Sequence, residues 1–247
     1  MSRLGQVGLF YLMLLWLGAM LLLANIGLLP LLAAPRALRE PLVQRSISGL
    51  FRLFLGGASR CGLMRLDLRA LDALNEQPKM LMVANHPSMI DVFLVVSRVR
   101  RAVCIMKASI ATNLFFGLGA YLAGYVSNRQ PDTLLRSATL AVERGAQLLV
   151  FPEGTRSTRQ PVNEFKPGFA LVARRSGAPM RTILIRSNSP YLAKGWTLWR
   201  PPSFPLVYQA TLGQQFTPLA NSNDTAKTLQ AYFEQAMTTS IDPGLRV

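Results

Sequence analysis

The chain has 247 residues, half of them hydrophobic and 16% charged, with 27 Lys and Arg against 12 Asp and Glu for a formal net charge of +15. That length holds one substantial core with an appendage, or two small domains, and the composition excludes a wholly soluble, polar-surfaced chain: part of its hydrophobicity belongs in lipid. The positive surplus calls for an acidic partner, whether nucleic acid, anionic lipid or acidic protein.

From Leu4 to Pro35 there is no Asp, Glu, Lys, Arg or His. About 20 such residues cross a bilayer as a helix, and the run is too long for the apolar region of a signal peptide. Residues 1–35 therefore read as a membrane anchor. Asn25, Gly27 and Pro30 are possible break points, so a spanning helix and a re-entrant helical hairpin both fit. Arg3 stands alone before the run, whereas Arg36, Arg39, Arg45 and Arg52 follow it, which orients the rest of the chain toward the cytoplasm.

Residues 36–77 read as a basic amphipathic connector. Between Pro41 and Gly56, Val43, Ile47, Leu50, Phe51 and Phe54 recur at helical spacing opposite Gln44, Arg45, Ser48 and Arg52. Such a helix can lie in the headgroup layer or pack on a domain core.

Residues 78–247 read as a cytoplasmic domain in which short apolar runs alternate with helical patterns. MLMVAN (80–85), AVCIM (102–106), QLLVF (147–151), TILIR (182–186) and PLVYQATL (205–212) predict strands. IDVFLVVSRV, PDTLLRSATLAVERGA and KPGFALVARRSGA predict helices, the last two stopping at Gly145 and Gly177. The fold class is α/β, a mixed sheet flanked by helices. No Asp or Glu lies between Glu164 and Asp224, so residues 165–223 should be strongly positive. The two cysteines, Cys61 and Cys104, have no metal-ligand spacing and read as free thiols in a reducing compartment.

His86 is the only histidine, and Asp91 follows it five positions later in NHPSMID. Within one regular helix that spacing would put the two about 140° apart. At a strand-to-helix junction, with Pro87 suited to the first turn, the ring can fold back onto the carboxylate. A carboxylate on one ring nitrogen fixes the tautomer and leaves the other nitrogen to accept a proton from a hydroxyl. Alone the pattern is weak, and a buried structural histidine satisfies it too.

A second constellation strengthens the reading. QLLVFPEGTRS delivers Glu153, Gly154, Thr155 and Arg156 at the carboxyl end of an apolar strand, where ligand sites of open α/β sheets lie. Gly154 allows close backbone approach, Thr155 adds a hydroxyl, and Arg156 offers a fork that fits phosphate. Glu153 either anchors that arginine or bonds the acceptor. Lys107 and Arg129 each follow an apolar run and supply further cations.

NHPSMID resembles the N-H-x-x-x-x-D signature, and Phe151-Pro152-Glu153-Gly154-Thr155-Arg156 the F-P-E-G-T-R signature, of the glycerolipid acyltransferases, whose type member is 1-acyl-glycerol-3-phosphate acyltransferase. The similarity covers residues 78 to about 187, with Lys107, the Gly124 to Arg129 stretch and Phe165-Lys166-Pro167-Gly168 in the family's order. The resemblance implies acyl transfer from acyl-CoA or acyl carrier protein to a hydroxyl of lyso-phosphatidic acid or a related lipid at the cytoplasmic (inner) membrane. It makes His86 the general base and Asp91 its orienter, with Glu153, Gly154, Thr155, Arg156, Arg129 and Lys107 binding acceptor and phosphate. It implies no metal, no bound cofactor and no nucleic acid. KGWTLWRPP (194–202) departs from the phosphatidic-acid-forming members and is similar to acyltransferases with aryl polyene or ornithine lipid acceptors. Two other classes compete: a serine hydrolase using Ser88, which lacks a G-x-S-x-G elbow, and a non-catalytic, membrane-anchored lipid-binding protein.

Overall fold

All five expected strands form, and they share one sheet. The computed structural model describes residues 2–77 and 79–238. Its strands are β1 (Met64–Asp67), β2 (Met80–Ala84), β3 (Ala102–Met106), β4 (Val126–Ser127), β5 (Gln147–Val150), β6 (Met180–Ser187) and β7 (Leu206–Phe216). The helices are α1 (Arg3–Leu28), α2 (Arg36–Arg60), α3 (Asp91–Arg98), α4 (Ala108–Ala111), α5 (Gly117–Leu122), α6 (Pro131–Glu143), α7 (Gly168–Ser176) and α8 (Ser222–Thr238), with 3-10 turns at Leu29–Ala33 and Arg69–Glu76.

The strand order is β1-β7-β6-β2-β5-β3-β4, and every neighbouring pair is parallel except β6 with β7. This is the expected mixed α/β sheet. β2 is buried along its whole length because helices cover both faces, which is why MLMVA is continuously apolar and not alternating. Met80, Met82 and Ala84 join a core with Phe51 and Phe54 of α2 and Leu94 and Val95 of α3. Leu81 and Val83 join the opposite core with α6, α7 and α8. Gly177 closes α7 at φ 62°, the left-handed geometry a helix C-terminus favours in glycine.

Part of the segment read as a connector belongs to the sheet. β1 pairs with β7 as an edge strand, Met64 opposite Leu206; four residues, MRLD, are too few to show a periodicity. β4 is shorter still. α2 starts at Arg36 and carries Pro41 inside it, although proline ordinarily opens or breaks a helix. One apolar face packs on the domain, with Val43, Phe51, Phe54 and Leu55 buried, while Leu42 and Leu53 stay exposed.

The segment read as an anchor forms one long helix. Neither Asn25 nor Gly27 breaks α1, and the chain turns only beyond it, in the 3-10 segment that holds Pro30. The most apolar 18-residue window within Arg3–Ala33 has a mean hydropathy of 2.3, and α2 then returns against α1, making a helical hairpin. Trp16 lies over Gly57, where a Cβ would meet its ring at 2.7 Å. α1 also touches the domain along its length: Phe10 packs on Tyr191 and Phe204, the Tyr11 hydroxyl donates to the Trp199 carbonyl, and the Asn25 amide donates to the carbonyls of Leu114 and Phe115. Cys61 and Cys104 are free.

The Trp16 contact yields a stability prediction. Gly57→Leu must push the indole off α2, and overpacking of this kind costs about 1–3 kcal/mol. Thermal melting in detergent should show a lower midpoint, with faster proteolysis between α1 and α2; an unchanged midpoint would mean that the hairpin does not depend on this approach.

Candidate active site

The carboxyl ends of β2, β5, β3 and β4 lie side by side, and each delivers one of the residues singled out in the sequence. β2 ends in Asn85 and His86, β5 in the 151–157 turn, β3 in Lys107 and β4 in Asn128 and Arg129. Asn85 is buried; its side chain donates to the Ile185 carbonyl and accepts from the Ile185 N–H, both at 2.8 Å. That double bond extends the β2–β6 pairing by one side chain and fixes the direction in which His86 leaves the sheet.

His86 Nδ1 stands 2.9 Å from Asp91 Oδ2. The same oxygen accepts the Ser88 N–H at 2.7 Å, so one carboxylate oxygen gathers both ends of the turn that opens α3. Asp91 is fully buried and the His86 side chain is 17% exposed. The ring lies flat on Phe151, centroids 3.9 Å apart and planes 19° from parallel. Its Nε2 makes no hydrogen bond among the described residues. Ser88 is occupied otherwise: its hydroxyl donates to the Tyr191 carbonyl at 2.7 Å, a use that leaves the hydrolase reading without support.

Burial pushes the Asp91 carboxyl above its ordinary value of 3.8, partly offset by the His86 ring and the Ser88 N–H. Asp91 Oδ1 has no hydrogen-bond partner among the described residues, which leaves desolvation under-compensated. Behind it, Tyr208 of β7 is fully buried, and burial with the Asp91 charge drives its phenol well upward.

Glu153 is 2% exposed. Its Oε1 accepts the His86 N–H at 2.9 Å and the Ser157 hydroxyl at 2.8 Å, and its Oε2 accepts the Asn163 N–H at 2.9 Å. The expectation was that Glu153 bonds the acceptor or anchors Arg156; here its oxygens instead tie the β5 turn to the backbone of His86. The Ser157 N–H completes the tie by donating to the His86 carbonyl at 2.7 Å. Arg156 Nη1 donates to the carbonyls of Leu192 and Ala193, at 2.9 and 3.1 Å, so the arginine holds the 188–205 loop against the site. Gly154 has φ 68°, and a Cβ there would come within 3.2 Å of Lys166 Nζ. The positive φ favours glycine, and the Lys166 side chain lies against the turn at that point.

Lys107 and Arg129 are exposed and adjacent, since Met106 pairs with Ser127 and the Asn128 N–H donates to the Met106 carbonyl. At about 5 Å per strand, β3 and β4 lie about 10 and 14 Å from β2 along the sheet edge. They make a cationic rim on the same edge of the sheet as the imidazole.

Sequence reasoning missed Ser157, Asn163, Tyr191 and Tyr208. Ser157 directly follows the Pro-Glu-Gly-Thr-Arg stretch and was within reach of inspection. Tyr208 lies far along the chain, and only the sheet order brings it beneath Asp91. Among the described residues there is no His, Cys, Asp and Glu cluster suited to a metal ion.

The family model described as Acyltransferase matches residues 65–186, the span that holds the histidine–aspartate pair and the arginine-bearing turn, and the comparisons support a likeness to the glycerolipid acyltransferases. Among relatives, it is 25% identical over 167 residues to 1-acyl-sn-glycerol-3-phosphate acyltransferase of Cocos nucifera, covering 65% of this chain and 52% of that protein. It is 27% identical over 183 residues to lysophospholipid acyltransferase LPCAT4 of Homo sapiens, covering 71% and 33%. The chain thus spans about half or less of these relatives' lengths. The crystal structure of the 1-acyl-sn-glycerophosphate acyltransferase PlsC from Thermotoga maritima superposes with a TM-score of 0.71 at 18% identity, over 97% of this chain and 98% of that one; that likeness concerns the fold.

Two substitutions separate the roles. Glu153→Gln puts an amide N–H₂ where N–H and O–H donors converge, leaving a buried donor unpaired at a cost of about 1–3 kcal/mol; a lowered melting midpoint is expected, and none would remove the tie. For Asp91 the folded carboxyl binds its proton more tightly than the unfolded one. Stability from that shift is present below 3.8 and lost as pH rises through the raised folded value. The melting midpoint of Asp91→Asn should therefore gain on wild type across that rise, and a parallel pair of pH profiles would exclude it.

Proposed function

We propose that this protein transfers an acyl group from a thioester, acyl-CoA or acyl carrier protein, to a hydroxyl of lyso-phosphatidic acid or a related lyso-lipid. The observation that carries the reading is the 2.9 Å His86–Asp91 contact, with the other ring nitrogen unengaged at the carboxyl edge of the sheet. The Asp91 carboxylate holds Nδ1 protonated and stabilises the imidazolium. Nε2 takes the acceptor's proton as its oxygen attacks the thioester carbonyl. When the C–S bond breaks, the same nitrogen returns the proton to the departing thiolate. The products are an ester and a free thiol. Lys166, Lys107 and Arg129 supply cations for the acceptor phosphate, and Arg156 shapes the loop around it.

The membrane supplies the acceptor. Tyr11 and Asn25 both touch the domain, although about 21 Å of helix separates them at 1.5 Å per residue. A helix held at both places lies alongside the domain and does not lead away from it. The hairpin then enters the cytoplasmic (inner) membrane from the side on which the domain stands, with Arg36, Arg45 and Arg52 near the headgroups and the catalytic domain facing the cytoplasm. One observation favours a specialised acceptor of the aryl polyene or ornithine lipid kind: the departing segment 194–202 belongs to the loop that Arg156 grips, with Trp199 62% exposed beside Tyr11.

Thiol release from acyl-CoA, measured in liposomes with lyso-phosphatidic acid and with lyso-ornithine lipid, tests the reaction. His86→Ala should lower turnover by about 10²- to 10⁴-fold without loss of fold. Activity within about tenfold of wild type would remove His86 from the role of base.

A further inference from the structure

At the opposite end of the sheet, between α2 and the turn that leads into β3, lies a cavity of about 770 Å³. Four guanidinium groups line it. Arg45 and Arg52 project from one flank of α2 two turns apart, and Arg100 and Arg101 face them from the turn. Among the described residues none of the four forms an ion pair, and Glu76 is the one carboxylate in the lining. Arg52 is steadied by its Nε–H, which donates to the Ser97 carbonyl at 3.0 Å. Between the two α2 arginines stands Gly49, a residue poorly suited to a helix interior; a Cβ there would meet nothing within 4 Å. Four unpaired arginines around an open cleft repel one another unless an anion joins them, and their planar forks match phosphate oxygens.

We infer that this cleft binds the phosphate headgroup of an anionic membrane lipid. β2 alone puts about 16 Å of strand between it and the His86 end, at 3.3 Å per residue, so a ligand here is not positioned to react. The lipid source is favoured over a soluble phosphate by the surroundings. Leu42 and Leu53, on the same helix beside the arginines, are 51% and 55% exposed, and α1 flanks α2 with its apolar surface. An acyl chain has somewhere to lie. The site is independent of the acyl-transfer reading.

The test titrates full-length, detergent-solubilised protein with short-chain phosphatidylglycerol, short-chain phosphatidylcholine and inorganic phosphate, with bound adducts counted by native mass spectrometry. Phosphatidylglycerol should bind one per chain, at least about tenfold more tightly than the other two. Replacing Arg45, Arg52, Arg100 and Arg101 by Gln should weaken it by about tenfold or more, whereas replacing Arg136, Arg144, Arg175 and Lys227 by Gln, an equal loss of charge elsewhere, should change it less than about threefold. Gly49→Trp fills the cleft with no loss of charge and should also abolish binding, which guards against misfolding of the quadruple variant. Equal losses in the two quadruple variants, binding that survives Gly49→Trp, or inorganic phosphate binding as well as the lipid would each overturn the proposal. So would arginine-dependent capture of an acidic carrier protein without lipid binding. No step of this readout involves catalysis, so its failure leaves the His86 chemistry untouched.

Discussion

The buried carboxylate of Glu153 is the fixed point of this domain. Two neighbouring parallel strands, β2 and β5, end there in turns that nothing in the sheet ladder would hold together. Glu153 accepts hydrogen bonds from both turns and from Asn163, which makes three loose segments one surface. Charge-assisted bonds of this kind are about twice as strong as neutral ones, and the carboxylate that accepts them is buried. The position of His86 is therefore set by its own backbone, through Glu153, as much as by its ring.

Around that point the polar groups divide into two sets. One set, Asn85, Ser88, Asp91, Glu153 and Ser157, is spent on internal bonds. The other, His86 Nε2 with the cations Lys107, Arg129 and Lys166, is left without internal bonds among the described residues, at the carboxyl edge of the sheet. Arg156 belongs partly to each, since it holds the loop that borders the site. A residue's place in a recognisable stretch of sequence does not tell which set it joins.

Much of this was legible in the sequence. Strands with continuous apolar runs, such as β2 and β3, announce themselves because burial on both faces permits nothing else. His86 and Asp91 were legible because the spacing has chemical sense only at a strand-to-helix junction. β1 and β4 were not, being too short to carry a period and held only as partners of longer strands. Nor was Glu153's role, because a carboxylate beside an arginine suggests an ion pair and the structure gives it three backbone and hydroxyl donors instead. The acid-free stretch 165–223 pointed to one positive region, yet Arg174 and Arg186 there are bonded to carbonyls. The arginine cleft draws on two segments far apart in sequence, which no linear reading of charge assembles.

The stacking of His86 on Phe151 has a mechanical consequence. A ring pressed flat against another at 3.9 Å and tethered through Nδ1 cannot turn over or swing from one partner to the next. In the proposed reaction the hydroxyl that gives up a proton and the sulfur that receives it must each come to a single stationary nitrogen. Timing then belongs to the substrates. On that reading the imidazole acts as a fixed post past which oxygen and sulfur move in turn.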